Sequence, residues 1–175
     1  VEELYGWAES GEAINDIKVA FGPDGMTGYI VIMTDLASDP VPYTSYHPSV
    51  LKTTDGGESW SDPIEVQLGG EDGIAAIKNY WPDSAYWSAG YDIDPLDREA
   101  VYYNMGFQVD IAVDGSGNLY ITGVIAIGDP DGWYPNEGQM ATWNVYTKDG
   151  GETWDADPLY DNIWLQGDIG AIVQY

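Results

Sequence analysis

The sequence predicts an all-β fold built from two similar four-stranded antiparallel units. The first observation is an eight-residue repeat, Thr-x-Asp-Gly-Gly-Glu-(Ser/Thr)-Trp, at residues 53–60 and again at residues 147–154. The second is that strand-like segments rich in β-branched and aromatic residues flank both copies in the same order. Internal repetition of this kind is the sequence signature of a repeated structural unit. The two copies therefore predict two equivalent antiparallel meanders.

Each unit contains four predicted strands. In the first unit these are residues 17–21, 29–33 and 49–53, followed by a return strand that begins at Trp60. In the second unit they are residues 109–113, 119–124 and 143–147, followed by a return strand that begins at Trp154. An Asp-Pro pair and an aliphatic residue follow the tryptophan in both units. The special turn therefore lies between the third and fourth strands of each unit.

The chemistry of the repeat explains the turn. Asp55 and Asp149 each carry a short carboxylate that can accept hydrogen bonds from backbone N–H groups a few positions later. The glycines that follow adopt positive φ at little steric cost. Trp60 and Trp154 offer a large apolar surface to pack beneath the hairpin. The pattern therefore predicts a rigid hairpin turn in each unit.

The two segments resemble Asp boxes, also called BNR repeats, of the sialidase-like superfamily of β-propellers. The matching residues are Thr53, Asp55, Gly57, Ser59 and Trp60 in the first box, and Thr147, Asp149, Gly151, Thr153 and Trp154 in the second. The resemblance implies four-stranded propeller blades and a secreted protein of bacterial type. It also implies that the boxes are structural turns at the blade periphery, remote from the ligand site.

The predicted organisation has four parts. Residues 1–66 form a first blade with an N-terminal lead-in, residues 67–105 an aromatic-rich insert, residues 106–162 a second blade, and residues 163–175 a candidate first strand of a further blade. Two blades cannot close a ring, since propellers use about four to eight. We therefore expect a fragment of a longer protein whose remaining blades complete the ring. The alternative is that several copies, or a partner chain, complete it.

Composition restricts the partners. Thirty acidic residues against five basic ones give a net charge of −25, which disfavours nucleic acid and anionic membranes because phosphate binding needs a basic surface. The chain contains no cysteine, so thiolate chemistry and a disulfide framework are excluded. No apolar stretch is long enough to span a bilayer. Together with the Asp-box resemblance, these features predict an extracellular or cell-surface location.

Long loops on a rigid β scaffold are where binding residues most often lie. The aromatic residues predicted to bind a ligand are Trp81, Trp87, Trp133 and Tyr134. Flat rings beside carboxylates suit a glycan, because sugar C–H surfaces stack on the rings and hydroxyls bond to acids. The alternative is that the aromatic residues of the insert pack against the blades as a small extra core.

An acidic cluster and a single histidine are the two further candidate sites. The acidic residues that offer a calcium site are Asp92, Asp94, Asp97 and Glu99, because calcium prefers several carboxylate and carbonyl oxygens. The alternative is a solvated acidic turn partly neutralised by Arg98. The single histidine, His47, is predicted to lie in a loop. A Ser/His/Asp triad and a histidine-based zinc site are both disfavoured.

The leading functional hypothesis is a non-catalytic extracellular or cell-surface module that binds glycan or protein through its long aromatic loops. One alternative is part of a glycoside hydrolase whose catalytic site is completed by missing blades. Another is a structural or cargo propeller of a large secreted protein. The resemblance implies that a sialidase would clamp its substrate with three arginines, whereas this chain has only Arg98. We therefore expect the chain not to be a complete sialidase, and no catalytic pair of acids is nominated.

Overall fold

The computed structural model describes residues 14–34, 44, 46–90, 98–106, 108–128, 135–159 and 164–165. These residues form two antiparallel β-sheets that do not close into a ring. The all-β prediction is confirmed. Within the described residues, no helix is both long and apolar enough to cross a membrane.

The first sheet is the predicted four-stranded meander. Its strands are β1 (Ile14–Phe21), β2 (Gly28–Thr34), β3 (His47–Thr53) and β4 (Ile64–Glu65), in the order β1-β2-β3-β4. All three neighbouring pairs are antiparallel. β1 and β4 are therefore the two edges of this sheet.

The prediction that Trp60 begins the fourth strand is wrong. β4 contains only Ile64 and Glu65. Ahead of it, Ser61 N donates to Lys52 O, but Lys52 N donates to the Ser61 side chain. A side-chain acceptor thus replaces the backbone acceptor that a regular ladder would supply, and Pro63 has no N–H to donate. Regular pairing therefore starts only after the proline.

The second sheet is built around a long hairpin. Its strands are β5 (Tyr103–Met105), β6 (Asp110–Val113), β7 (Leu119–Gly128), β8 (Pro135–Thr147), β9 (Asp155–Pro158) and β10 (Trp164–Leu165). The predicted meander is confirmed as β6-β7-β8-β9. β5 pairs with β7, and β10 pairs with β8, beyond the ends of β6 and β9. Residues 164–165 are thus part of the second sheet, and the rest of the predicted segment 163–175 lies outside the described residues.

The described residues of the predicted insert form two short helices and a 3-10 turn, and its last residues form β5 of the second sheet. These are α1 (Ala75–Lys78), α2 (Asp83–Ser88) and the turn Arg98–Ala100. Its buried aromatic residues join one core with the facing strands of both sheets, including Val31 of β2 and Trp143 of β8. The insert is therefore an extra layer of the core, as the alternative interpretation proposed.

Candidate functional site

The two eight-residue repeats, residues 53–60 and 147–154, are called the first and second box, and both form the same closed hydrogen-bond network. Asp55 Oδ1 accepts from Thr53 Oγ1 at 2.7 Å and from Ser59 N at 3.0 Å, and Asp55 Oδ2 accepts from Ser59 Oγ. Thr53 Oγ1 in turn accepts from Gly57 N at 3.0 Å. The carboxylate oxygens of Asp55 therefore accept hydrogen bonds from residues of their own turn.

The second box repeats this network contact by contact. Asp149 accepts from Thr147 Oγ1 at 2.8 Å, from Thr153 N at 2.9 Å and from Thr153 Oγ1, while Gly151 N donates to Thr147 Oγ1 at 2.8 Å. The Thr153 hydroxyl, the Thr153 N–H and the Thr147 hydroxyl together hold the pKa of Asp149 well below its ordinary range. The Ser59 hydroxyl and N–H, with the Thr53 hydroxyl, do the same for the pKa of Asp55. Both carboxylates are ionised anchors of their turns.

The lowered pKa of Asp149 makes the stabilisation by its box depend on pH. Because the folded pKa is below the unfolded value, this stabilisation is complete above the unfolded pKa and is lost as the pH falls through the folded pKa. We expect the difference in free energy of unfolding between wild type and Asp149→Asn to be constant from about pH 7 to about pH 5 and to shrink below about pH 4. Urea denaturation at each pH measures it. A difference that grows on acidification would contradict the assignment.

The second box also packs against the first sheet. Gly151 has φ of 103°, a conformation that favours glycine, and a Cβ built on it would lie 2.7 Å from Ile64 Cδ1. The equivalent glycine of the first box, Gly57, instead faces Phe21 and Trp60 of its own unit. The two boxes therefore have the same internal structure but different surroundings.

A cavity of about 530 Å³ opens where the second box, β4 and the insert meet. It is lined by residues 64, 65 and 67 of the first sheet and the chain after it, by residues 72–75 of the insert, and by residues 151–154 of the second box. Ile74 is buried and Trp154 is half-buried, whereas Asp72 and Glu152 are exposed. The lining residues include three acids and no lysine or arginine. The cavity is therefore acidic, with apolar and aromatic walls.

His47 lies in a strand and not in the predicted loop. It is the first residue of β3, it is fully buried, and its Nε2 lies 2.8 Å from Glu65 Oε2. The buried Ser49 hydroxyl donates to Glu65 Oε1 at 2.8 Å. The Glu65 carboxylate of β4 thus binds two polar side chains of β3. The loop prediction for His47 is wrong, and its buried contact with Glu65 makes it a structural residue.

Burial contradicts the ligand-binding prediction for Trp81. Only 1% of its surface is exposed, and its ring packs against Tyr80, Tyr103 and Trp143 at centroid distances of 5.1, 5.8 and 6.0 Å. Trp87 lies in α2, but its side chain is not among those described. Trp133 and Tyr134 lie outside the described residues.

The calcium hypothesis falls mainly outside the described residues. Asp92, Asp94 and Asp97 are not among them, and Glu99 is an exposed residue of the 3-10 turn. Across the described ranges, no group of three or more metal-ligating side chains is assembled. Arg98, which the sequence placed beside these acids, donates to Asp83 Oδ1 at 2.6 Å and to Lys78 O at 3.2 Å. Arg98 therefore ties the parts of the insert together.

The cavity residues Gln67, Asp72 and Ile74 were not predicted from the sequence. None belongs to a motif, and they approach Trp154 only because the insert folds back against the second box. The run of glycines and acids at residues 69–73 lies closest to these positions in the sequence. Such a run is typical of a solvated loop, so it does not predict a cavity.

No family model matches the chain, and no curated protein matches it. Among solved structures the chain is similar to a Hadza microbial sialidase, with 15% sequence identity and a TM-score of 0.45. The match covers 85% of this chain and 25% of the sialidase chain, so this chain spans about a quarter of that protein's length.

Proposed function

We propose that this chain is a non-catalytic, exported Asp-box module that binds a saccharide in the cavity between β4, the insert and the second box. The observation that carries the proposal is that the insert folds against the second box and makes this turn one wall of a ligand-sized cavity. This differs from the Asp-box resemblance, which implies a ligand site remote from the boxes. Its volume of about 530 Å³ lies in the range of small-molecule sites, about 300–1,000 Å³. The location outside the cell rests on the Asp-box resemblance.

The lining suits a polyhydroxylated ligand. The half-buried Trp154 and the apolar Ile64 and Ile74 offer surfaces for the C–H face of a pyranose ring. Carboxylates are acceptors that take hydrogen bonds from sugar hydroxyls, and Asp72 and Glu152 supply them at the exposed rim. Binding energy would come from the apolar contact, and orientation from the polar groups.

The charge of the site selects among sugars. Three acids line the cavity without a basic residue, and the whole chain carries a charge of −25. A carboxylate-bearing sugar such as sialic acid would be repelled, whereas a neutral sugar or a protonated amino sugar would not. The engagement of Arg98 with Asp83 also supports a function other than sialidase catalysis.

The two boxes supply a matched pair of variants that tests the site. Glu152 and Glu58 occupy the same position of the two boxes and both are exposed, but only Glu152 lines this cavity. We expect a glycan array to report neutral or amino-bearing ligands. By isothermal titration calorimetry, Glu152→Lys should weaken their binding by about tenfold or more, and Glu58→Lys should leave it unchanged.

Three results would contradict the proposal. The first is an equal loss of affinity in the Glu58→Lys and Glu152→Lys variants, which would place the ligand elsewhere or make the effect one of net charge. The second is binding restricted to sialylated glycans. The third is release of reducing sugar by the wild-type chain, which would favour a hydrolase.

A further inference from the structure

Two carboxylates at the rim of the cavity are not used by the fold. Asp72 of the insert and Glu152 of the second box both line the cavity and are exposed. Within the described residues, neither carboxylate takes part in a hydrogen bond or an ion pair. The third acid of the lining, Glu65, already accepts from Ser49 Oγ and lies 2.8 Å from His47 Nε2. The cavity therefore has free anionic acceptors on two of its walls.

The hydrogen-bond donors of the lining are largely committed to the fold. Gly151 and Thr153 of the second box donate within their own turn, and the N–H groups of Gly73 and Ile74 donate to carbonyls of the insert. The side-chain amide of Gln67 also lines the cavity, and it supplies an acceptor along with its donors. The cavity is therefore rich in free acceptors and poor in free donors.

Trp154 does not border the cavity with its N–H group. The Nε1 atom is buried and, among the described residues, has no hydrogen-bond partner, although the residue as a whole is only half-buried. An indole carbon surface packs against the C–H face of a pyranose ring, and its π-system also attracts a cation. Trp154 therefore adds an apolar surface to the cavity and no donor for a ligand acceptor.

The charge of the lining is negative. The described lining residues include three acids and no lysine or arginine. Lys52 Nζ lies beside Gly150 of the second box, but Lys52 does not line the cavity. A cleft lined by one sign of charge concentrates ligands of the opposite sign. The electrostatic field and the excess of acceptors therefore favour the same kind of ligand, one that is cationic and rich in donors.

We propose that the cavity selects a saccharide with a free, protonated amino group over the same saccharide with a hydroxyl or an acetamido group. This selectivity rests on the proposed saccharide site. The sugar ring packs on Trp154, and the ammonium group donates to Asp72 and Glu152. An ammonium group has three donors and no acceptor, which matches the lining, and it adds a charge attraction that a hydroxyl lacks. An acetamido group brings a carbonyl acceptor, for which the lining holds few free donors.

Three disaccharides of the same linkage test the selectivity: cellobiose, chitobiose with free amino groups, and N-acetylated chitobiose. They differ only in the group at the second carbon of each ring. NMR titration of the full chain in a mildly acidic buffer, which keeps the amino groups protonated, measures each dissociation constant. We expect the amino form to bind about tenfold more tightly than cellobiose, and the acetylated form to bind most weakly. Salt should reduce the preference, because it screens the charges.

Two variants locate the selectivity in the cavity. Asp72→Asn and Glu152→Gln each remove one charge and keep the shape of the side chain. Each should weaken binding of the amino form by about tenfold and leave binding of cellobiose nearly unchanged. Glu58→Gln is the matched control, since it removes the same charge from the equivalent position of the first box. It should leave all three dissociation constants unchanged.

The possible failures are distinguishable. Equal affinity for the three disaccharides, or tightest binding of the acetylated form, would overturn the selectivity and leave the proposed saccharide site standing. An equal loss in Glu58→Gln and Glu152→Gln would also overturn the selectivity, because net charge and not the cavity would then be responsible. Binding of none of the three disaccharides would overturn the saccharide site and the selectivity together.

Discussion

Replacing Trp81 with alanine is expected to lower the free energy of unfolding by about 3–5 kcal/mol, the range found when a large buried aromatic residue is truncated. The ring lies between the insert and the second sheet, in contact with Tyr103 and Trp143. Removing it leaves a cavity beside β8, and the long pairing of β8 with β7 limits how far the strands can collapse into it. Urea denaturation followed by far-UV circular dichroism measures the change.

Two variants separate packing from other effects. Among the described residues the Trp81 Nε1 has no hydrogen-bond partner, so Trp81→Phe should cost clearly less than Trp81→Ala. Met26→Ala, at an exposed position, should change stability by less than about 0.5 kcal/mol. A stable Trp81→Ala protein would contradict the packing role and return Trp81 to the list of ligand-binding candidates.

Replacing Glu65 with leucine is expected to lower the free energy of unfolding by about 3 kcal/mol, since hydrogen bonds to a charged group contribute about 1.5–3 kcal/mol each. The Glu65 carboxylate accepts from Ser49 Oγ and lies 2.8 Å from His47 Nε2. Both partners are fully buried, so water cannot replace the lost acceptor at low cost. Equilibrium denaturation in urea measures the loss.

The conservative variant makes this prediction specific. Glu65→Gln keeps the shape of the side chain and one acceptor oxygen, so it should cost about half as much as Glu65→Leu. Glu58→Leu, at an exposed position of the first box, is the control and should be nearly neutral. Equal losses for Glu65→Gln and Glu65→Leu would mean that the charge alone matters and that the two hydrogen bonds do not.

The two boxes were predictable from the sequence because their structure is local. The groups that bond to Asp55 come from Thr53 and Ser59, and the same spacing recurs around Asp149. Residue types within eight positions therefore suffice to specify the turn and, through it, the strands on either side. The predicted start of the return strand at Trp60 was wrong, because strand pairing there depends on the contact of Ser61 with Lys52 across the hairpin and on Pro63.

The environment of single residues was less predictable. His47 precedes a proline, which is typical of loops, yet β3 accommodates Pro48, whose carbonyl accepts from Val66 N. His47 then becomes buried because Glu65, on a later strand, offers a carboxylate. Trp81 stands between Tyr80 and Pro82 in a turn-like context, but Trp143 of the second sheet covers it. In both cases the deciding partner is distant in the sequence.

The all-β class, the two repeated units, the chemistry of their turns and the strong negative charge all follow from residue order and composition. These properties depend on neighbouring residues or on composition, and neither requires knowledge of the packing. The packing of distant segments places the aromatic insert in the core and the second box beside a cavity, and it leaves apolar side chains of β1 exposed. Burial is a property of surfaces brought together from distant segments, so it emerges only when those segments pack.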